Sequence, residues 1–211
     1  MKFSKIGTLV FATVVLTTSA SAQLIGKKSD SQGEIATEGK AAFDQGVQEA
    51  REIARKKLKP YKYDATKSTY FSYKSYTYAK EVEIITLEQT DYKLCFNSSM
   101  IKDEKISLEI YDKPQDAKNR ILLYSRESIG GDEFEVNLDD MNEVFKAKKK
   151  ETTTLDPALI DKMRLKKVYI NYIIPAVDRE LEKETDDMGK QITTTVIQYS
   201  AMVLAVGYLN M

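Results

Sequence analysis

The sequence contains no histidine, no tryptophan and a single cysteine. Without histidine, neither a Ser-His-Asp nor a Cys-His nucleophilic pair can be assembled, and every zinc site that uses imidazole is excluded. The lone Cys95 rules out thiolate metal clusters and any intrachain disulfide. G-x-S-x-G, the P-loop and G-x-G-x-x-G are all missing, so the mechanical parts of α/β-hydrolases and of nucleotide and dinucleotide binders are absent. An excess of basic charge is missing too. Lys and Arg total 32 against 32 Asp and Glu, which leaves no footprint for nucleic acid. Enzyme chemistry narrows to carboxylates, with no cofactor and no metal expected.

What is present begins with an export pattern. Lys2 and Lys5 make a basic start, Ile6 to Leu16 an apolar run, and Ala20-Ser21-Ala22 a small-residue cleavage site. Residues 1–22 therefore read as a signal peptide, with Gln23 first in the mature chain. The apolar run falls short of the ~20 residues a bilayer span needs, and no later segment is longer. A lipoprotein requires cysteine at the cleavage position, where this chain has Gln23. The expectation is an exported product, periplasmic or extracellular, neither lipid-anchored nor membrane-spanning after signal removal. Taking 22 residues from 211 leaves 189, which suits one domain.

Residues 23–33 are polar and read as a flexible mature N-terminus. An amphipathic helix is expected over 34–59, because Phe43, Val47, Ala50, Ala54 and Leu58 recur on one face. Ser31 and Glu34 form a possible capping box, and Pro60 ends the helix. Gly39 and Gly46 weaken it, each by roughly 1 kcal/mol against alanine. From Thr69 the pattern changes to short runs rich in aromatic and β-branched residues. Strands are predicted near 69–78, 81–88, 91–97, 105–112, 120–126, 132–138, 166–174 and 191–206. Gly130-Gly131 marks a turn, Asp156-Pro157 opens a short helix, and another is expected from Asp139 or Asp140 with Met141, Val144 and Phe145 inward. Many short strands with few helices predict a mainly β fold over 60–211, an antiparallel β-sandwich of jelly-roll type. The last strand is apolar on both faces from Ala201 to Val206, which places it centrally. The strand-turn rhythm of residues 91–112, DYKLCFNSSMIKDEKISLEIYD, is loosely similar to non-catalytic jelly-roll domains appended to bacterial secreted enzymes. It contains no diagnostic motif, and no functional residue is carried over from it.

The densest aromatic stretch is YFSYKSYTY, residues 70–78. In one extended strand Tyr70, Tyr76 and Tyr78 share a face, while Phe71 and Tyr73 point the other way. Phe71 and Tyr73 are expected inward, and Tyr70, Tyr76 and Tyr78 to form a binding patch for a glycan or another envelope protein. Other features have plainer readings. Cys95, between Leu94 and Phe96, is a buried and inert thiol. Asp139-Asp140 reads as a helix start rather than a calcium site, since D-x-D-x-D spacing is absent. Asp186-Asp187 falls in a charged connector. Lys148-Lys149-Lys150 is a solvated helix end, and Asn97-Ser98-Ser99 matches a glycosylation acceptor pattern that is common by chance. The leading expectation is an exported, non-catalytic binding or structural protein. The alternatives are a carboxylate-dependent glycan hydrolase and a small-ligand carrier with a tyrosine-lined cavity.

Overall fold

The computed structural model describes residues 37–101, 105–177, 181–185, 191–195 and 199–210. The export pattern over 1–22, the polar segment 23–33, the Ser31–Glu34 capping box and Asp186-Asp187 lie outside the described residues. The described residues belong to one compact unit. In chain order its elements are α1 (Thr37–Lys56), β1 (Lys62–Ser72), β2 (Tyr78–Ile85), β3 (Thr90–Asn97), β4 (Ser107–Tyr111), β5 (Leu122–Arg126), β6 (Glu133–Asn137), α2 (Leu138–Thr152), α3 (Pro157–Asp161), β7 (Lys167–Ile174), β8 (Leu181–Thr185), β9 (Gln191–Thr195) and β10 (Tyr199–Asn210).

The fold is mainly β, with two antiparallel four-strand sheets and a few helices. The first sheet has the order β1-β10-β3-β6 and the second β2-β7-β4-β5, while β8 and β9 form a separate hairpin. Period-two alternation sends one face of each sheet into a shared apolar core. Leu94, Phe96, Phe134, Val136, Met202, Leu204 and Val206 of the first sheet meet Ile84, Leu108, Ile110, Val168, Ile170 and Ile174 of the second in one cluster. Burying such side chains stabilises by about 1.5–3 kcal/mol each. Helix α2 adds Leu138, Met141 and Phe145 to this core. These positions and the buried Asn142 follow the i, i+3, i+4, i+7 stripe of a helix that starts at Leu138. That start corrects the expected inward place of Val144, which lies off the stripe and is exposed. Asp139 and Asp140 sit in the first turn, where they complement the helix dipole, and Asp139 is paired with Arg164 at 3.2 Å.

Helix α1 packs on the outer face of the first sheet. Val47, Ala50, Ala54 and Leu58 meet Cys95, Ala201, Val203 and Ala205. Small residues on both sides bring helix and sheet close. Just beyond the helix the chain also approaches Gly207, where an added Cβ would lie 2.9 Å from Leu58 Cδ2 and 3.1 Å from the Lys62 carbonyl oxygen. The helix–sheet contact explains why Ala201 to Val206 is apolar on both faces: one side meets the core and the other the helix. The expected single strand over 191–206 is corrected to β9 and β10. β9 pairs with β8, and β10 lies between β1 and β3. Cys95 is fully buried in the helix–sheet layer. Burial pushes its thiol up to about 11, with Glu135 adding to the shift and Lys93 and Lys57 opposing it. Thiolate attack on it is accordingly suppressed near neutral pH.

Among the described residues, a buried tyrosine hydroxyl of the core lacks a partner. Tyr172 on β7 is fully buried, and its hydroxyl has no hydrogen-bond partner among the described residues. An unpaired buried donor costs about 1–3 kcal/mol, so Tyr172→Phe is expected to stabilise the protein by a similar amount. Chemical denaturation of both proteins checks this. A lower midpoint for the variant would show that the hydroxyl is paired.

Candidate functional site: the outer face of the second sheet

The tyrosine stretch does not form one strand. β1 ends at Ser72 and β2 begins at Tyr78, so residues 73–77 cross from the first sheet to the second. This corrects the strand expected over 69–78. Alternation alone cannot separate a strand that stays in one sheet from one that changes sheet, and here the change falls on the polar residues around Lys74-Ser75. The crossing is tied to the segment after β7: Val177 N–H donates to the Lys74 carbonyl at 2.8 Å, and Ala176 N–H to Thr77 Oγ1 at 3.2 Å. Phe71 and Tyr73 are buried against each other edge to face, with ring centroids 5.8 Å apart.

The other three tyrosines fall into two places. Tyr70 is 48% exposed and its ring lies 6.2 Å from that of Phe43 on α1. Tyr76, 56% exposed, lies with its ring 6.1 Å from that of Tyr78. Lys74 Nζ sits 5.2 Å from the Tyr76 ring and 4.6 Å from the Tyr78 ring, and donates to the Tyr76 hydroxyl at 3.0 Å. The Tyr78 hydroxyl donates to the Ser72 carbonyl at 2.6 Å, and burial raises its pKa against the opposing charge of Lys74. The fold thus joins Tyr76 to Tyr78 and turns Tyr70 toward the helix side.

Beyond Tyr78 lies the outer face of the second sheet. The helices pack elsewhere: α1 on β10, β3 and β1, and α2 on β3, β5, β6 and α3. With Val82, Ile170 and Ile110 pointing inward, their neighbours Glu81, Asn171 and Glu109 point outward and lie side by side across three strands. Asn171 is only 3% exposed although it faces outward. With its amide nitrogen turned toward β2, it donates to Glu81 Oε2 at 3.1 Å and its oxygen accepts from Arg120 Nη2. The Arg120 guanidinium also lies 3.6 Å from the centre of the Tyr111 ring. Tyr111 in turn donates its hydroxyl to Glu109 Oε2 at 2.8 Å; burial, then this hydrogen bond, raises its pKa, and Arg120 opposes the rise.

Arg120 is held over the sheet by the β4–β5 connection. Its Nε donates to the Lys113 carbonyl at 3.3 Å, Lys113 Nζ donates to the Asn119 carbonyl at 3.0 Å, and Ile121 N–H donates to Asp112 Oδ1 at 2.6 Å. Asn119 takes the left-handed conformation, φ 56°, which asparagine tolerates better than most residues. The result is a chain of side chains, Glu81–Asn171–Arg120–Tyr111–Glu109, in which each member is oriented by the next. Beside it opens a recess of about 300 Å³ lined by Thr77, Tyr78, Glu109, Gln115, Arg120 and Asn171. The recess offers the Glu109 carboxylate as acceptor and guanidinium and amide donors, with Ala79 and Ile173 beside them, while the Tyr78 side chain shares its face of β2 with Val82 and packs against the core.

No protein-family model, curated protein or solved structure matches this chain. Of the residues expected to form a site, Tyr78 lines this recess and Tyr76 adjoins Tyr78, while Tyr70 stands apart on the helix side. Glu81, Glu109, Arg120 and Asn171 were not singled out by sequence. Alternation around Ile106, Leu108 and Ile110 marks Glu109 as outward-facing, but nothing local marks Arg120 or Asn171. Among the described residues, no group of three or more acidic or cysteine side chains is placed to hold a metal ion, and no helix is long and apolar enough to cross a membrane.

Proposed function

We propose that this is an exported, non-catalytic binding protein of jelly-roll sandwich architecture, whose ligand is a glycan held on the outer face of the second sheet between Tyr78 and Arg120. The observation that carries this reading is the preformed Glu81–Asn171–Arg120–Tyr111–Glu109 chain beside a tyrosine-edged recess. A sugar presents hydroxyls that both donate and accept, and C–H faces that lie flat on rings. A surface that alternates fixed acceptors and donors next to exposed tyrosine suits such a ligand and loses little entropy on binding it. Tyr76, exposed beside Tyr78, forms the aromatic edge. Tyr70 extends it for a ligand long enough to wrap the β1–β2 connection.

Strand pairing supports the jelly-roll part of the proposal. Leaving out the β8–β9 hairpin, the pairs β1·β10, β2·β7, β3·β6 and β4·β5 are the rungs of one long antiparallel ribbon. Rolling that ribbon brings β10 against β3 and β7 against β4, which gives eight strands in two sheets with the connectivity of paired Greek keys. The export part rests on the Lys2–Ala22 pattern.

A glycan hydrolase is the second reading, because Glu81 and Glu109 flank β7 two strand spacings apart, roughly 9.5 Å between backbones. Inverting glycosidases place their carboxyls about 6.5–9.5 Å apart with water and sugar between them. Here Asn171, Arg120 and Tyr111 bridge the interval, which favours binding over hydrolysis. Retention on immobilised polysaccharides tests both. The wild type is expected to be held by at least one glycan without releasing reducing ends. Tyr76→Ala and Arg120→Lys should weaken retention by roughly 10-fold or more while the protein stays folded. No retention on any glycan, or reducing-end release that disappears in Glu81→Gln, would overturn the binding reading. Intact mass of the exported product, expected to begin at Gln23, tests the export part separately.

A further inference from the structure

A second concavity lies away from this face, between the β2–β3 turn and residues 162–166. It measures about 410 Å³, within the range of small-molecule sites. Leu87, Leu138, Met163 and Leu165 supply apolar walls. Lys162, Arg164 and Lys166 line it as well, against the single acidic side chain of Glu88. Two of these cations are already paired: Arg164 with Asp139 at 3.2 Å and Lys166 with Glu88 at 3.0 Å. The Lys162 ammonium stands outside the ion pairs of the described residues, so the lining has a surplus of positive charge in a chain whose net charge is zero.

The two walls are pinned to each other. Thr86 N–H donates to the Lys166 carbonyl at 3.0 Å, and Thr86 Oγ1 to the Leu165 carbonyl at 2.6 Å. The turn itself is fixed with Gln89 in the left-handed region, φ 59°. Asn142, from α2, lies in the lining and is 2% exposed. Its Oδ1 accepts from Leu165 N–H at 2.8 Å, whereas its Nδ2 has no hydrogen-bond partner among the described residues. A buried amide donor without an acceptor is destabilising, and with Nδ2 sealed just beneath the lining a small shift of the cleft wall would let a ligand oxygen reach it.

We propose that this cleft is a second binding site, for a small organic anion with an apolar body such as a medium-chain carboxylate. The apolar walls take the body, Lys162 attracts the charge, and the Asn142 amide offers a donor that the fold leaves unused. The proposal is independent of the glycan reading, because it uses none of the same residues.

Octanoate is a suitable probe, titrated into isotope-labelled protein and followed by methyl and amide spectra. Saturable shifts are expected at Leu87, Leu138, Met163 and Leu165. Lys162→Glu, an exposed substitution that leaves the core intact, should weaken octanoate binding by roughly 10-fold, a change of about 1.4 kcal/mol. Octanol should bind more weakly than octanoate, and Arg120→Lys should leave octanoate binding unchanged. Absence of saturable shifts at these residues in folded protein would overturn the proposal. So would equal binding of octanol and octanoate, or an affinity indifferent to Lys162→Glu.

Discussion

Deletion of residues 199–211 is expected to abolish folding. β10 is an inner strand of the first sheet, paired with β1 from Ser72 to Lys62 and with β3 from Asn97 to Thr90. Its two faces serve two layers: Met202, Leu204 and Val206 enter the core between the sheets, and Ala201, Val203 and Ala205 receive α1. The four larger side chains alone represent about 6–12 kcal/mol of burial, comparable to the roughly 5–15 kcal/mol net stability of a whole domain. Deletion would also strip ladder partners from β1 and β3. Circular dichroism and limited proteolysis of the shortened chain should show no cooperative transition and rapid digestion. A cooperative melt near that of the full chain would mean that β10 is dispensable.

Phe96→Ala should bring the largest loss expected from a single side chain. Phe96 is fully buried near the C-terminal end of β3, stacks on Phe134 with centroids 4.8 Å apart and planes 13° apart, and lies opposite Leu204 on β10. Removing a buried ring between two sheets costs about 3–5 kcal/mol, since neither sheet can close the gap without losing its own register. Tyr76→Ala, at an exposed position, should change stability by about 0.5 kcal/mol or less. Urea midpoints for the two variants test the contrast. A Phe96→Ala loss no larger than that of Tyr76→Ala would contradict the placement of the core.

The parts of the fold that could be read from sequence are those with a local apolar pattern. Ile106, Leu108 and Ile110 alternate because β4 has one face on the core. Val47, Ala50, Ala54 and Leu58 recur with helical spacing because α1 lies on the first sheet. β8, in LEKET, is polar at every position but one, so it has no apolar periodicity to distinguish it from a charged connector. The crossing at residues 73–77 was hidden because tyrosine suits both a strand and its end. Val144 looked inward only while the start of α2 was placed one or two residues late.

The candidate site was legible at its rim and not at its centre. Tyr76 and Tyr78 could be found as a cluster of aromatics. Asn171 acquires its neighbours Glu81 and Glu109 only through the pairing of β7 with β2 and β4, strands far apart in the chain. Arg120 reaches Asn171 only because the β4–β5 connection folds back over the sheet. Long-range register and loop closure leave no trace in a local window, which is why an arginine and an asparagine of ordinary appearance went unmarked.

The proposed glycan site on the outer face of the second sheet is open to a residue-level test. Backbone and side-chain chemical shifts, followed while the best-retained glycan is titrated into isotope-labelled protein, test it most directly. Saturable changes are expected at Tyr76, Tyr78, Glu81, Glu109, Arg120 and Asn171, and none at Ala50, Ala54 or Cys95 beneath α1. Changes confined to the α1 side of the molecule, or no saturable change at Arg120 and Asn171, would contradict it.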